Sequence, residues 1–451
     1  MGSGASASRR RQVVGEADAV LIPLLIFVAS LGIIAFAKPG GAAPVDVANE
    51  LDPHLGRERG FYLDRPAGAL LGAVAMVLAG VVPTQEALTR AVNFETLILL
   101  FSMMVVCAYM VEARLFRFVS YLTLSHVRSP RRLLIAVVFV SGVLSAVLVN
   151  DTVCLMTTPL VVQCCRDAKL KPLPYLLAVC FGANAGSVAT PTGNPQNMII
   201  GTLSGISYTR FVLSLGLPAL LSLIVVALCL LWLFRKDLAE QQLPSLSLAR
   251  PAFDPSLATL CLGTLGLILA GFCLGYSLAW TSLAGAALII ALGRRSPRRL
   301  IGQVDYVLLV FFAGLFVLVY GVGKAGLAEA LFVRLRPFLG DSALGQAVVF
   351  GGFTIGLSQV VSNVPFVLLA SQWMPLFKDP PLMWLSMALL STLAGNLTIV
   401  GSVANIIVLD TAGPDGKIGF FRFLRYGALV TFLTTVLSLA LLYVERRIGL
   451  I

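Results

Sequence analysis

Val149-Asn150-Asp151-Thr152 interrupts one long apolar stretch of this chain. Gly182-Ala183-Asn184, followed by Thr190-Pro191-Thr192-Gly193-Asn194-Pro195-Gln196-Asn197, interrupts the next. Both interruptions return in the second half, as Val361-Ser362-Asn363-Val364-Pro365 and as Ala394-Gly395-Asn396-Leu397-Thr398 with Gly401-Ser402-Val403-Ala404-Asn405. Asn150 to Asn184 is a step of 34 and Asn363 to Asn396 a step of 33, while Gly193 to Asn197 and Gly401 to Asn405 are both steps of 4. Matched polar breaks in the two halves of an apolar chain are the sequence mark of a transport site where internal repeats meet.

The surroundings decide what such breaks can mean. Of 451 residues, 58% are hydrophobic and only 12% charged, about half the charge of a soluble domain. Long unbroken apolar runs suit membrane-spanning helices, not the short alternating segments of a β-barrel. The formal charge of +11 reads as Lys and Arg gathered in cytoplasmic loops and not as a nucleic-acid surface. Eight cysteines lie in or beside apolar segments without metal-ligand spacing, and two histidines supply no catalytic set. Gly321-Val322-Gly323-Lys324-Ala325-Gly326 fits a nucleotide-binding pattern in letters alone, because it follows a membrane span and not a strand.

Working outward, the fold class is an all-α polytopic membrane protein with about 10 transmembrane helices, two re-entrant helical hairpins, and two inverted-topology repeats with broken helices. The spans fall at 17–37, 66–82, 95–111, 175–201, 211–234, 257–274, 277–292, 304–320, 382–409 and 421–444. The first, although preceded by Arg9-Arg10-Arg11, is too long for a signal-peptide core and reads as a retained span. An amino-terminal tail (1–16) precedes the first repeat, 17–234, which holds a hairpin (133–165) and a broken helix (175–201). A linker (235–255) leads to the second repeat, 256–444, with its hairpin (344–376) and broken helix (382–409), and a tail (445–451) closes the chain. Short amphipathic stretches, 113–126 and 325–338, precede the hairpins at an offset of 212, against 213 between Asn150 and Asn363.

Five full spans per half invert the second half in the membrane. With the amino terminus outside, the segments 38–65, 113–132, 166–171, 235–250, 294–299 and 417–425 face the cytoplasm and hold 22 of the 33 Lys and Arg, which the positive-inside rule favours. The first hairpin then enters from the cytoplasm and the second from outside.

A break in a membrane helix survives only where protein or water meets its freed backbone groups. Its new N-terminus attracts anions, and its carbonyls with nearby Asn, Ser and Thr oxygens suit a hard cation. The candidate substrate and ion ligands are therefore Asn150, Asp151, Thr152, Asn184, Thr190, Thr192, Gly193, Asn194, Asn197, Ser362, Asn363, Asn396, Thr398, Gly401, Ser402 and Asn405. Asn150, Asn194, Asn363 and Asn405 are the candidates for Na⁺. Asp151 is the one ionisable residue of the motifs; it reads equally as a proton or cation carrier and as a cap on the second hairpin helix. Ser187 and Thr392 read singly as glue between helices.

These motifs carry a resemblance. Asn150-Asp151 with Leu155-Met156-Thr157-Thr158-Pro159-Leu160, and 394–398 with 401–405, resemble the paired signatures of the arsenite-efflux permeases and NhaD-type antiporters of the ion transporter superfamily. Ser362-Asn363-Val364-Pro365 resembles the Ser-Asn-Thr motif of the related citrate and dicarboxylate:sodium symporters, with Val364 in place of Thr. Where many arsenite and NhaD-like relatives carry Gly-Asp-Pro-Pro-Asn, this chain has Gly193-Asn194-Pro195-Gln196-Asn197, and loss of that acid argues against Na⁺/H⁺ antiport. The resemblance implies a scaffold with a mobile transport unit carrying both hairpins, often in a homodimer. The expected function is secondary active transport of a small anion or oxyanion across the cell membrane by alternating access, coupled to Na⁺ or H⁺, with no resident cofactor and no enzymatic activity. Na⁺/H⁺ antiport and an anion channel are the alternatives.

Overall fold

The structure, a computed structural model, describes residues 20–34, 64–125, 127–238 and 252–449. The amino-terminal tail, both ends of the first span, nearly all of the basic segment 38–65, most of the linker and the last two residues lie outside the described residues. The described chain is helical throughout, and its element bounds follow the expected spans to within a few residues.

The first half comprises α1 (Val20–Ile34), α2 (Arg65–Leu78), α3 (Phe94–Glu112) and the amphipathic α4 (Leu115–Ser125). The hairpin arms α5 (Pro130–Val147) and α6 (Asn150–Asp167) follow, then the broken helix as α7 (Leu173–Ser187) and α8 (Pro195–Leu203), then α9 (Tyr208–Leu233). The second half repeats the order. It runs α10 (Pro255–Cys273), α11 (Leu278–Leu292), α12 (Tyr306–Lys324), α13 (Leu327–Leu339), hairpin arms α14 (Ala343–Val361) and α15 (Asn363–Ser371), the broken pair α16 (Pro380–Ala394) and α17 (Val403–Thr411), and α18 (Phe420–Arg447). Seven of these, α3, α5, α9, α10, α12, α14 and α18, are long and apolar enough to cross a membrane unaided. Among the shorter apolar helices, α7 and α16 are short because each is interrupted.

Two compact units emerge. One holds α1, α2 and the part of α12 within Val310–Leu327; the other runs over Asn93–Leu309 and Ala328–Ile451 and contains both hairpins and both broken helices. In the first unit glycines let helices close: a Cβ at Gly314 would lie 3.0 Å from the Ala69 backbone. Glu86, in the turn after α2, pairs there with Lys324 at 2.8 Å and accepts from the Tyr320 hydroxyl at 3.0 Å.

In the larger unit α5 packs along α7 through facing glycines. A Cβ at Gly186 would stand 2.0 Å from the Gly142 carbonyl oxygen, so only glycine permits this approach, the close small-residue packing that membrane helices use in place of a hydrophobic drive. Ion pairs then fix which loops share an end. Arg166 meets Asp415 (2.7 Å), Lys171 meets Asp237 (2.6 Å), Arg295 meets Asp254 (2.5 Å), and Arg299 pairs with Glu112. All involve segments placed, on sequence, in or next to the cytoplasmic set. Arg446 pairs with Asp379 (2.9 Å) and Lys378 donates to the Asp341 carbonyl (2.5 Å), joining the segments that flank the second hairpin. The two hairpins therefore enter from opposite ends.

Candidate functional site

Each break is built by local chemistry. In the first, Asn194 is an N-cap in extended conformation whose Oδ1 accepts from the Asn197 N–H at 2.9 Å, and Pro195 occupies the first helical position, where its missing N–H costs nothing. The Asn197 carboxamide then reaches back to the carbonyls of Ser187 (3.1 Å) and Thr190 (3.3 Å), ten and seven residues earlier. In the second break Asn405 does the same, donating to the carbonyls of Gly395 (2.7 Å) and Thr398 (3.0 Å), again ten and seven residues earlier. The two broken helices are one device made twice.

Each hairpin tip docks on the break of its own half through its Asn, one by backbone and the other by side chain. The backbone N–H of Asn150 donates to the Gly193 carbonyl (2.9 Å), and the side-chain Nδ2 of Asn363 donates to the Gly401 carbonyl (3.1 Å). Each returning arm packs against the second half of the other repeat's broken helix, α6 on α17 and α15 on α8. The tips differ in construction. The first turns through Leu148 and Val149 in ordinary extended backbone, whereas the second turns on Ser362 alone, at φ +72° and ψ 158°, a region otherwise left to glycine.

Asn184 joins the halves. Its Nδ2 donates to Asn396 Oδ1 (2.9 Å) and Asn405 Oδ1 (3.2 Å), and its Oδ1 accepts from the Ser402 hydroxyl (3.1 Å) and Asn150 Nδ2 (3.4 Å). A carboxamide has two donors and two acceptor positions, so this one is saturated. Asn184 and Asn396 are equivalent by the repeat, and a residue can touch its own equivalent only beside the axis relating two copies. A second seam runs through Thr392, whose hydroxyl accepts from Asn194 Nδ2 (3.2 Å) and lies 3.5 Å from Gln196 and Asn197.

The structure thus gathers Asn150, Asn184, Asn396, Ser402 and Asn405 directly, and Asn194, Asn197, Asn363, Thr398 and Gly401 through shared partners. Thr190 turns instead to the Ala146 carbonyl (2.5 Å) and to Thr192 (3.2 Å). Asp151 and Thr152 are half-buried in the first turn of α6. Asp151 does not cap that helix, which has no side-chain cap. Three participants were absent from the sequence-derived set: Thr392; Ser187, whose hydroxyl accepts from Asn194 Nδ2 (2.9 Å); and Gln359, which donates to the Ala394 carbonyl (2.9 Å) and accepts from the Thr398 hydroxyl (2.8 Å). An amide one turn before Asn363 in a largely apolar helix was the available signal for Gln359.

What the network leaves open defines its chemistry. Most freed carbonyls already accept from carboxamides, contrary to the idea that the breaks present bare carbonyls to a cation. Among the described residues, buried Asn150 Oδ1 and Asn363 Oδ1, at equivalent positions, have no hydrogen-bond partner, nor has Asn396 Nδ2. Of the four half-helices beginning here, only α8 has a side-chain cap; α6, α15 and α17 have none. Three uncapped N-termini present N–H groups and the positive ends of their dipoles.

A helical membrane protein whose two halves meet at paired broken helices has the architecture of a transporter. The chain belongs to the citrate transporter family, CitMHS, whose sequence model matches residues 55–375. The putative transporter arsB of Dictyostelium discoideum is 26% identical to it, with 83% of this chain and 86% of the relative aligned. The silicon efflux transporter LSI3 of Oryza sativa subsp. japonica is 30% identical over 84% of this chain and 92% of its own. The fold is that of the YdaH transporter of Alcanivorax borkumensis, described as having an unusual topology: TM-score 0.56 at 15% identity, covering 96% of this chain and 98% of that one. This chain is a multi-pass membrane transporter.

Proposed function

We propose that the protein is a secondary active transporter of a small oxyanion or its protonated acid, working by alternating access in the cell membrane and coupled to Na⁺ or H⁺. The observation that carries this reading is the meeting of three uncapped half-helix N-termini in a buried site whose motifs contain no Lys or Arg. Such a site holds its cargo with N–H groups, carboxamides and dipoles. Asn396 Nδ2 is an open donor for substrate oxygen. Asn150 Oδ1 and Asn363 Oδ1 are open acceptors, suited to Na⁺ or to the hydroxyls of a protonated acid, whereas Asn194 and Asn405 have their carboxamides occupied in holding the breaks. The relatives named for arsB and silicon efflux support cargo of the hydroxylated inorganic class. A homodimer is the proposed assembly.

The test is flux into liposomes containing the purified protein, with arsenite, silicate, phosphate and citrate as cargo and the Na⁺ and pH gradients set independently. Flux of at least one that follows either gradient is expected; no response of any to either gradient overturns the proposal. Na⁺/H⁺ antiport would show as Na⁺-driven proton movement without cargo, abolished by Asp151→Asn, and a channel as unitary currents.

A further inference from the structure

Beside the end of α3 opens a cavity of about 700 Å³, lined by residues from 111–117, 252–254 and 295–299 together with Met156. Three basic-side segments are drawn together there: Phe118 stacks on Phe253 with ring centroids 4.2 Å apart, and the Asp254 N–H meets the Ala113 carbonyl at 3.4 Å. The wall neutralises its own acids. Arg295 lies 2.5 Å from Asp254 and 3.7 Å from Glu112, and Arg299 pairs with Glu112. Arg114 and Arg117, which also line the cavity, have no carboxylate partner among the described residues.

Their placement is not explained by the fold alone. Arg114 stands at φ +59°, a conformation glycine would adopt without cost. Arg117 lies in the first turn of α4, which contains no acid, so its charge sits at the positive end of that helix. A bound anion would offset both guanidinium groups, and their planar forks match a tetrahedral oxyanion in two-point contact. Met156, which lines the cavity, follows Val149 of the hairpin tip by seven residues on α6, so the cavity reaches to within about two helical turns, about 10 Å, of that tip. The volume falls in the usual range for small-ligand pockets.

We propose that this cavity is an anion vestibule in which Arg114 and Arg117 bind an oxyanion of the phosphate class, free or as the headgroup of an anionic lipid, next to the first hairpin. Its occupancy is independent of what is transported.

The test uses the full chain. Binding of radiolabelled inorganic phosphate is measured in delipidated micelles, and retention of phosphatidylglycerol is measured by native mass spectrometry after release from nanodiscs of phosphatidylcholine with phosphatidylglycerol. Arg114→Gln/Arg117→Gln is compared with Arg114→Lys/Arg117→Lys and with the remote surface variant Arg334→Gln, each matched to wild type by size-exclusion profile and melting temperature. Loss of two charge-assisted contacts weakens binding by about tenfold or more in the Gln pair, less in the Lys pair, and leaves Arg334→Gln as wild type. Loss confined to phosphate identifies a free oxyanion, and loss confined to phosphatidylglycerol a headgroup. If the wild type binds neither, if the Gln pair binds both normally, or if Arg334→Gln weakens binding equally, the vestibule is refuted. Should the Gln pair fail to fold, Arg117→Gln alone is read in the same arms. Absent flux with intact phosphate binding would sink the transport reading and leave this one standing.

Discussion

Asn184→Ala removes four hydrogen bonds at once, three of them across the seam between the halves and one to Asn150 within the first. Double-mutant cycles between membrane helices average about 0.6 kcal/mol per bond, so four give about 2.4 kcal/mol. That is a lower figure, because the partners cannot all re-pair. Asn405 cannot turn its amide without surrendering the Gly395 and Thr398 carbonyls, and Asn396 already has an unpartnered Nδ2. Each buried group left unsatisfied costs about 1–3 kcal/mol, so a loss of about 2–5 kcal/mol is expected. At about 2 °C per kcal/mol the lower bound is a fall of about 5 °C in melting temperature. A thiol-reactive fluorophore reads it directly in detergent, because seven of the eight cysteines are buried and react only on unfolding. Adding Asn396→Ala should cost less than the two single losses together, with a coupling of about 0.5–3 kcal/mol for a bonded pair. A melting temperature within about 1 °C of wild type for Asn184→Ala, where the bound is about 5 °C, would show that the seam is not what holds the halves together.

Gly186→Ala places a methyl 2.0 Å from the Gly142 carbonyl oxygen and should destabilise by about 1–3 kcal/mol or more, seen as lost monodispersity. Gly216→Ala, with nothing within 4 Å, should be neutral or mildly stabilising. Ser362→Gly relieves a positive-φ tip worth about 1–3 kcal/mol and should raise the melting temperature; a fall would show that the hydroxyl matters more than the backbone. Glu86 is held below the usual carboxylate range, first by the Lys324 hydrogen bond and then by that of Tyr320. Its contribution is thus present above the ordinary carboxylate pKa and lost as pH falls through the depressed one, so the melting difference from Glu86→Gln should vanish on acidification. Exposed Cys273, at the end of α10 away from the basic loops, should take an impermeant maleimide on intact cells; labelling only after permeabilisation would reverse the orientation.

Periodicity and apolar length made the helices legible, because lipid forces backbone groups to pair within each segment and leaves few alternatives to a helix. The breaks were legible for the converse reason: Asn194-Pro195 and Gly395-Asn396 cannot continue a buried helix unassisted. What the sequence did not reveal was partnership. Thr392 and Ser187 look like any hydroxyl between helices, yet both bond Asn194. Gln359 serves the second break from a different helix, and no spacing rule connects residue 359 to residue 394. Asp151, prominent as the lone charge of the motifs, does not cap the helix in whose first turn it lies.

The matched reach of Asn197 and Asn405, each closing on carbonyls ten and seven residues behind it, gives the protein a built-in replicate. Asn197→Ala and Asn405→Ala delete the same local pair of bonds from opposite halves of one molecule. Whatever they do in common measures the latch, and whatever they do differently measures the distance the two halves have travelled since they were copies.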